Sequence, residues 1–198
     1  MIRFAVVGTN WITKQFVDAA HETGKYKLTA IYSRSLEQAQ AFANDYPVEH
    51  LYTSLEALAQ SDAIDAVYIA SPNSLHFPQT RLFLSHKKHV ICEKPVMMNT
   101  ADLEAVLAVS RETGKAFSVH QNRRWDRDYL IVKKLLDEGT IGQPFYIESR
   151  VQGSKGIPGD WRCETIAGGG MLFDWGVHLI DQMLQLVEAA KDLKNDPS

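Results

Sequence analysis

A lysine followed by proline at the end of an apolar run is a poor packing residue and a good chemical one. His89-Val90-Ile91-Cys92-Glu93-Lys94-Pro95 has that form, and Ala66-Val67-Tyr68-Ile69-Ala70-Ser71-Pro72-Asn73 has the same layout one unit earlier. Short β-branched runs without alternation, separated by a helix-like segment, read as parallel strands buried on both faces. Chemistry in open α/β sheets gathers beyond the carboxyl ends of such strands. Asn73, His76, Glu93 and Lys94 are therefore expected on one rim. A second pair, Asp174 and His178, is spaced i, i+4 and would share one face of a helix. An imidazole takes or gives a proton near neutral pH. Against that, a histidine on an otherwise apolar helix (Leu172, Phe173, Val177, Leu179, Ile180) is ordinarily a core residue, and both readings stand at this point.

The turn after the first strand, Gly8-Thr9-Asn10-Trp11-Ile12-Thr13, is a partial dinucleotide fingerprint. The first glycine is present, whereas Asn10 replaces the second and Thr13 the third. Asparagine tolerates a left-handed backbone but adds a side chain where pyrophosphate approaches. The turn sits between a strand and a helix, where free amides can meet phosphate, although an ordinary βα turn has the same setting. The second strand ends at Tyr32-Ser33-Arg34-Ser35, with hydroxyls and a cation and no acid. That set suits a 2′-phosphate, hence NADP in preference to NAD, while Arg34 could equally be a solvated cation beside an N-cap serine.

The elements that must position these residues follow from periodicity and punctuation. Strands are expected at 2–7, 28–32, 66–70, 89–92 and 116–120. Between them lie helices over 11–23, from Ser35 to Asn44, from a capping box at Thr53-Ser54-Leu55-Glu56, around Pro78 to Ser85, and from Thr100 to Thr113 with Gly114 behind it. The order is that of a doubly wound parallel sheet, an α/β fold. Residues 1–122 form this domain, and 123–198 a second, incomplete α+β unit. In that unit a helix is expected over Tyr129–Glu138, a strand over Phe145–Val151, an irregular glycine-rich stretch over Gly153–Gly170, and a helix from about Phe173 to Lys191.

With 21 basic and 24 acidic residues, the net charge of −3 offers no electrostatic case for nucleic acid or an anionic membrane. No apolar run is long enough to span a bilayer. Cys92 and Cys163 are too few for a disulfide framework or a metal cluster, and Cys92 reads as a buried, inert thiol. The expectation is a cytoplasmic protein with reduced thiols.

The chain resembles the Gfo/Idh/MocA oxidoreductases. The likeness rests on Ser71-Pro72-Asn73-Ser74-Leu75-His76, Glu93-Lys94-Pro95, Gly139-Thr140-Ile141-Gly142, and the run Gly168-Gly169-Gly170-Met171-Leu172-Phe173-Asp174-Trp175-Gly176-Val177-His178-Leu179-Ile180-Asp181. It implies hydride transfer between a nicotinamide and a sugar or polyol carbon. Lys94 would lie at the nicotinamide and substrate, and Asp174 and His178 would approach the reacting hydroxyl. Gly8, Thr9, Asn10, Trp11, Ile12, Ser33, Arg34, Ser71, Pro72, Asn73, His76, Glu93 and Lys94 would line the cofactor, with no metal. His178 would serve as base in oxidation and acid in reduction, with Lys94 holding the alkoxide or polarising the ketone. His76 and His120 read as structural or rim residues rather than catalytic ones. Family members continue into a larger antiparallel sheet that commonly forms a dimer interface, so the second domain is expected to be partial and a homo-oligomer is an open expectation. The rival reading is a catalytically silent dinucleotide-binding module.

Overall fold

The computed structural model describes residues 1–153 and 159–195. It divides into two compact units, Met1–His120 and Gln121–Ser198, a boundary two residues ahead of the expected one.

The first unit is built on β1 (Ile2–Val7), β2 (Tyr26–Tyr32), β3 (His50–Tyr52), β4 (Ala66–Ile69), β5 (His89–Glu93) and β6 (Phe117–His120). All pair in parallel, in the order β3-β2-β1-β4-β5-β6. This is the doubly wound arrangement of a Rossmann fold. The sheet has six strands where five were expected. The missed one, β3, is three half-buried residues on the edge beside Ala30–Tyr32, too short to carry a periodic signal. Every residue of β4 is buried, and so are Phe4–Val7 of β1, because helices cover both faces. One core cluster runs through Ala5, Val7, Val67, Ile69, Phe83 and Val90, and the other through Phe4, Val6, Val17, Ile31 and Tyr68, as the period-2 alternation of each strand requires.

The covering helices are α1 (Trp11–Glu22), α2 (Leu36–Ala43), α3 (Leu55–Gln60), α4 (His76–Ser85) and α5 (Thr100–Thr113). Ser35 caps α2 through the Gln38 amide, as expected. The cap of α3 is Ser54, whose hydroxyl takes the Ala57 amide, one residue later than the Thr53 capping box implied. Asn99 caps α5 through the Asp102 amide, and Gly114 ends it in the left-handed conformation (φ +66°).

The second unit holds α6 (Arg127–Asp137) and α7 (Val177–Asn195), packed through Tyr129, Leu136, Leu186 and Ala190. The strand expected over Phe145–Val151 does not form. Its backbone is irregular, because a strand exists only with a neighbour to share its ladder, and none of the described residues of this unit supplies one. Ile147 alone from that stretch packs on the α6–α7 core. Of the Gly153–Gly170 stretch, residues 154–158 lie outside the described residues. The remainder contains two short 3₁₀ turns, Trp161–Cys163 and Thr165–Ala167. No helix among the described residues is long and apolar enough to cross a membrane.

Candidate active site

The strand order reverses between β1 and β4, which opens a crevice beyond their carboxyl ends. Gly8 closes β1 at φ +104°, and a Cβ here would stand 2.7 Å from the Ala70 carbonyl oxygen. Only glycine makes this turn against the end of β4. Asn10 is not left-handed: its backbone is extended (φ −87°, ψ 179°) and it caps α1. Its Oδ1 accepts the amides of Ile12 (3.0 Å) and Thr13 (3.2 Å), while its Nδ2 donates to the Ala70 carbonyl (2.9 Å). One carboxamide thus fastens the helix start to the end of β4.

This geometry bears on whether a dinucleotide fits. Pyrophosphate is held by amides at a helix N-terminus, and the first turn of α1 carries no acidic residue to oppose an anion. Asn10 caps two amides and leaves those of Asn10 and Trp11. At the end of β2, Ser33 is buried and donates to Gln38 Oε1 (3.2 Å). Arg34 is exposed, and its guanidinium has no ion pair or side-chain hydrogen bond among the described residues. Thr9 and Ile12 are half-buried and Trp11 is exposed. The free amides at the start of α1 form a donor set that fits a dinucleotide pyrophosphate, through fewer amides than a second glycine would offer, and Arg34 is an available cation at the end of β2.

The rim after β4 and β5 is locked by buried polar groups. Asn73 is buried and opens a 3₁₀ turn that leads into α4, with Pro72 half-buried before it. Ser71 Oγ donates to Gln79 Oε1 (2.7 Å). His76 is fully enclosed, with ring nitrogens 2.8 Å from the Pro95 carbonyl and 3.0 Å from the Ser71 carbonyl. Burial lowers its pKa, against the raising effect of both carbonyls. Its ring ties the two rim loops together and presents no surface to a ligand, so it could act on a cofactor only through those loops.

Glu93 is the centre of the rim. It is 7% exposed. Oε1 accepts from the Tyr68 hydroxyl (2.5 Å) and pairs with His120 Nδ1 (2.6 Å), and Oε2 accepts the Lys94 amide (3.3 Å). Burial alone would raise the Glu93 pKa; the hydrogen bonds from His120 and Tyr68, with the charges of His120 and Lys94, outweigh it and hold the carboxyl below its usual range. Burial and the adjacent carboxylate push the Tyr68 hydroxyl far above its ordinary value. Phe16 stacks flat on Tyr68 (3.8 Å between ring centres), and His120 meets both rings edge-on. The residue preceding Lys94 is therefore anchored by buried partners, and its carboxylate also takes the Lys94 amide. Sequence reasoning singled out Glu93 but not Tyr68 or Phe16. The available signal was a lone hydroxyl in an otherwise aliphatic strand, which must find a partner when buried. The Cys92 thiol is buried and pushed up to about 12, the inert residue expected.

Asp174 and His178 belong to the second unit. Asp174 lies on a single π-helical turn, Leu172–Gly176, that widens the chain just before α7, so the pair is not on one regular α-helix. Turns of this kind recur at functional sites. His178 is 5% exposed and meets the Trp175 ring edge-on (6.3 Å). Asp174 lies 3.6 Å from Arg162, which also pairs with Asp160 and lies over Trp161. A Cβ at Gly169 would overlap the Arg162 carbonyl, so the glycine run allows that loop to fold onto itself. The Arg123-Arg124 pair is tied down by side-chain contacts within this unit. Arg123 lies over the Trp175 ring (4.4 Å), and Arg124 makes a two-pronged pair with Asp181 (2.6 and 2.8 Å). Among the described residues no group of His, Cys, Asp and Glu could hold a metal ion.

Comparison with known proteins accounts for nearly the whole chain. Residues 2–121 match the model of an oxidoreductase family with an NAD-binding Rossmann fold, and residues 129–194 match the GFO/IDH/MocA C-terminal domain. The scyllo-inositol 2-dehydrogenase (NADP(+)) IolU of Bacillus subtilis is 38% identical over 202 residues, covering 98% of this chain and 61% of its own length. The uncharacterised oxidoreductase YgjR of Escherichia coli is 77% identical over 112 residues, 57% of this chain and 34% of its own. Among solved structures, an NAD-binding protein from Listeria innocua superposes with a TM-score of 0.88 at 42% identity, over 93% of this chain and 54% of that one. The chain thus spans between a third and two thirds of the length of the proteins it matches. By both domain matches and by its strand order, this chain belongs to the Gfo/Idh/MocA family of oxidoreductases.

Proposed function

We propose that the chain carries the cofactor site and the catalytic side chains of a dehydrogenase that prefers NADP and acts on a CH–OH carbon of a sugar or cyclic polyol. The observation that carries this reading is the end of β2, where Arg34 stands exposed and unpartnered among the described residues and no acid is present to hold a ribose diol. The Bacillus relative's activity toward scyllo-inositol with NADP supports the substrate class. When bound, the nicotinamide accepts or gives the hydride. Gly8, Thr9, Asn10, Trp11 and Ile12 would hold the pyrophosphate, with Ser33 and Arg34 at the 2′-phosphate and Ser71, Pro72, Asn73 and Glu93 along the nicotinamide side. Lys94 would stabilise charge on the substrate oxygen, positioned by the Glu93 carboxylate behind it. His178 would take the hydroxyl proton in oxidation and return it in reduction, with Asp174 beside the same hydroxyl.

A second reading has its own support. Asn10 already consumes two of the amides at the start of α1, which favours a module that binds a dinucleotide weakly and turns nothing over. A turnover assay separates the two, with the purified chain, NADPH or NADP, and a panel of inositols and hexoses. The dehydrogenase reading expects turnover that falls by about a hundredfold or more in Lys94→Met. A folded chain with no turnover, or a Lys94→Met variant as active as the parent, would contradict it.

A further inference from the structure

The candidate site occupies the carboxyl ends of the strands. The amino ends of the same sheet hold a separate concavity of about 370 Å³, lined by Arg3, Asp62, Ile64, Asp65, Lys87, Lys88, His89 and Lys115. Nothing in the hydride-transfer reading uses it. Arg3 comes from the start of β1, Asp62 to Asp65 from the approach to β4, Lys87 to His89 from the approach to β5, and Lys115 from the approach to β6. Four cations thus face two carboxylates in a chain whose net charge is −3.

These charges do not all serve the fold. Arg3 and Asp65 satisfy each other through two hydrogen bonds (2.6 and 3.1 Å), and a third nitrogen of Arg3 donates to the Asp62 carbonyl (2.7 Å). Lys88 donates to the Ser61 and Ile64 carbonyls (2.7 and 3.1 Å) and so braces the loop between α3 and β4. Lys87 and Lys115 have no ion pair or side-chain hydrogen bond among the described residues. His89 Nδ1 accepts the Ala116 amide (3.0 Å), so the neutral ring carries its proton on Nε2 as a donor. The floor is therefore fixed, while two lysines and an imidazole N–H remain available against one further carboxylate, that of Asp62, which leaves the lining cationic.

The backbone at Lys87 adds an independent observation. This residue closes α4 at φ +59° and is the one non-glycine residue in the left-handed region among the described residues. Glycine is the usual occupant of such a cap, and a side chain there is disfavoured. A helix end favours a cation anywhere in its last turn, so the dipole does not select lysine at this strained position. Strain retained at one residue points toward use of its side chain.

We propose that this concavity is a binding site for a compact multivalent anion, one bearing two or more phosphate or carboxylate groups, held by Lys87, Lys115 and His89 Nε2. The site is independent of the nicotinamide crevice, at the opposite ends of the same strands.

The test is amide NMR of the full chain titrated with inorganic pyrophosphate, and in parallel with citrate, at low salt. Saturable shifts are expected at Lys87, Lys88, His89, Lys115 and Ala116, weakened by added salt as exposed charge pairs are. The Lys87→Gln/Lys115→Gln variant should lose affinity at this site by about tenfold or more, with any shifts at Thr9 to Thr13 unchanged. Preference for pyrophosphate or for citrate assigns the ligand to phosphates or to carboxylates. Lys87→Gly, which relieves the strained cap, should melt higher than the parent and bind less. Shifts confined to Thr9–Thr13, no saturable shifts with either anion, or equal binding by the folded double variant would overturn the proposal.

Discussion

The two units hold their candidate residues by different means. In the first, each rim residue is fastened to something buried: Asn10 to the Ala70 carbonyl, His76 between two carbonyls, and Glu93 to Tyr68 and His120 over a stacked pair of rings. The cores behind them cover both faces of six strands. In the second, Asp174 and His178 sit at the mouth of a helix whose buried core is four residues, while Ile166 and Leu172 are 88% and 65% exposed. A rim locked by sheet and core can hold charges in fixed positions. In the thin-cored helix pair the histidine follows a π-turn and meets the neighbouring Trp175 edge-on.

The largest expected effect tests the rigid half. Gly8→Val puts a Cβ against the Ala70 carbonyl and a branched side chain at φ +104°, so it should destabilise the sheet by about 3 kcal/mol or more and remove dinucleotide binding. Urea unfolding of the variant checks this, and a near-parental midpoint would mean that the β1–β4 junction is softer than described. Next comes the contrast itself. Leu136→Ala and Leu58→Ala each truncate a fully enclosed leucine and should each cost about 2–5 kcal/mol. In the thin core that loss should abolish slow hydrogen exchange across α6 and α7. In the larger core the strands should stay protected, and equal loss of protection in both would erase the distinction.

The smallest effect concerns pH. Glu93 is held below its ordinary value of 4.5 in the folded protein. A depressed carboxylate contributes stability that is complete above the unfolded pKa and is lost as pH falls through the folded one. The acid limb of the stability profile should therefore flatten in Glu93→Gln, with a loss of about 1–3 kcal/mol at neutral pH from the weakened hydrogen bonds to Tyr68 and His120. An unchanged acid limb would show that the carboxylate is not paired as described.

Much of the first unit could be read in advance because its strands are buried on both faces and α2 and α3 begin at serine caps, both of which leave marks in the sequence. The strand β3 left none, being three residues long at an edge. The role of Asn10 was also hidden: a substitution for glycine says what is missing, but not that the new carboxamide will cap the helix and reach across to the Ala70 carbonyl. The Glu93–Tyr68–His120 cluster joins residues on three strands, and such pairings follow from strand order rather than from local pattern. Phe145–Val151 shows the opposite failure, a sound alternation that forms no strand without a neighbour to pair with.

On the proposed function, the crevice at the β1–β4 switch would bind a nicotinamide dinucleotide, with Arg34 selecting the phosphorylated form. Calorimetric titration of the purified chain with NADPH and, separately, NADH tests it most directly. Saturable binding of NADPH is expected, about tenfold or more tighter than that of NADH, with the advantage abolished in Arg34→Ala and the NADH affinity unchanged. Binding of neither nucleotide by a chain shown to be folded, or equal binding of both by the parent protein, would contradict it.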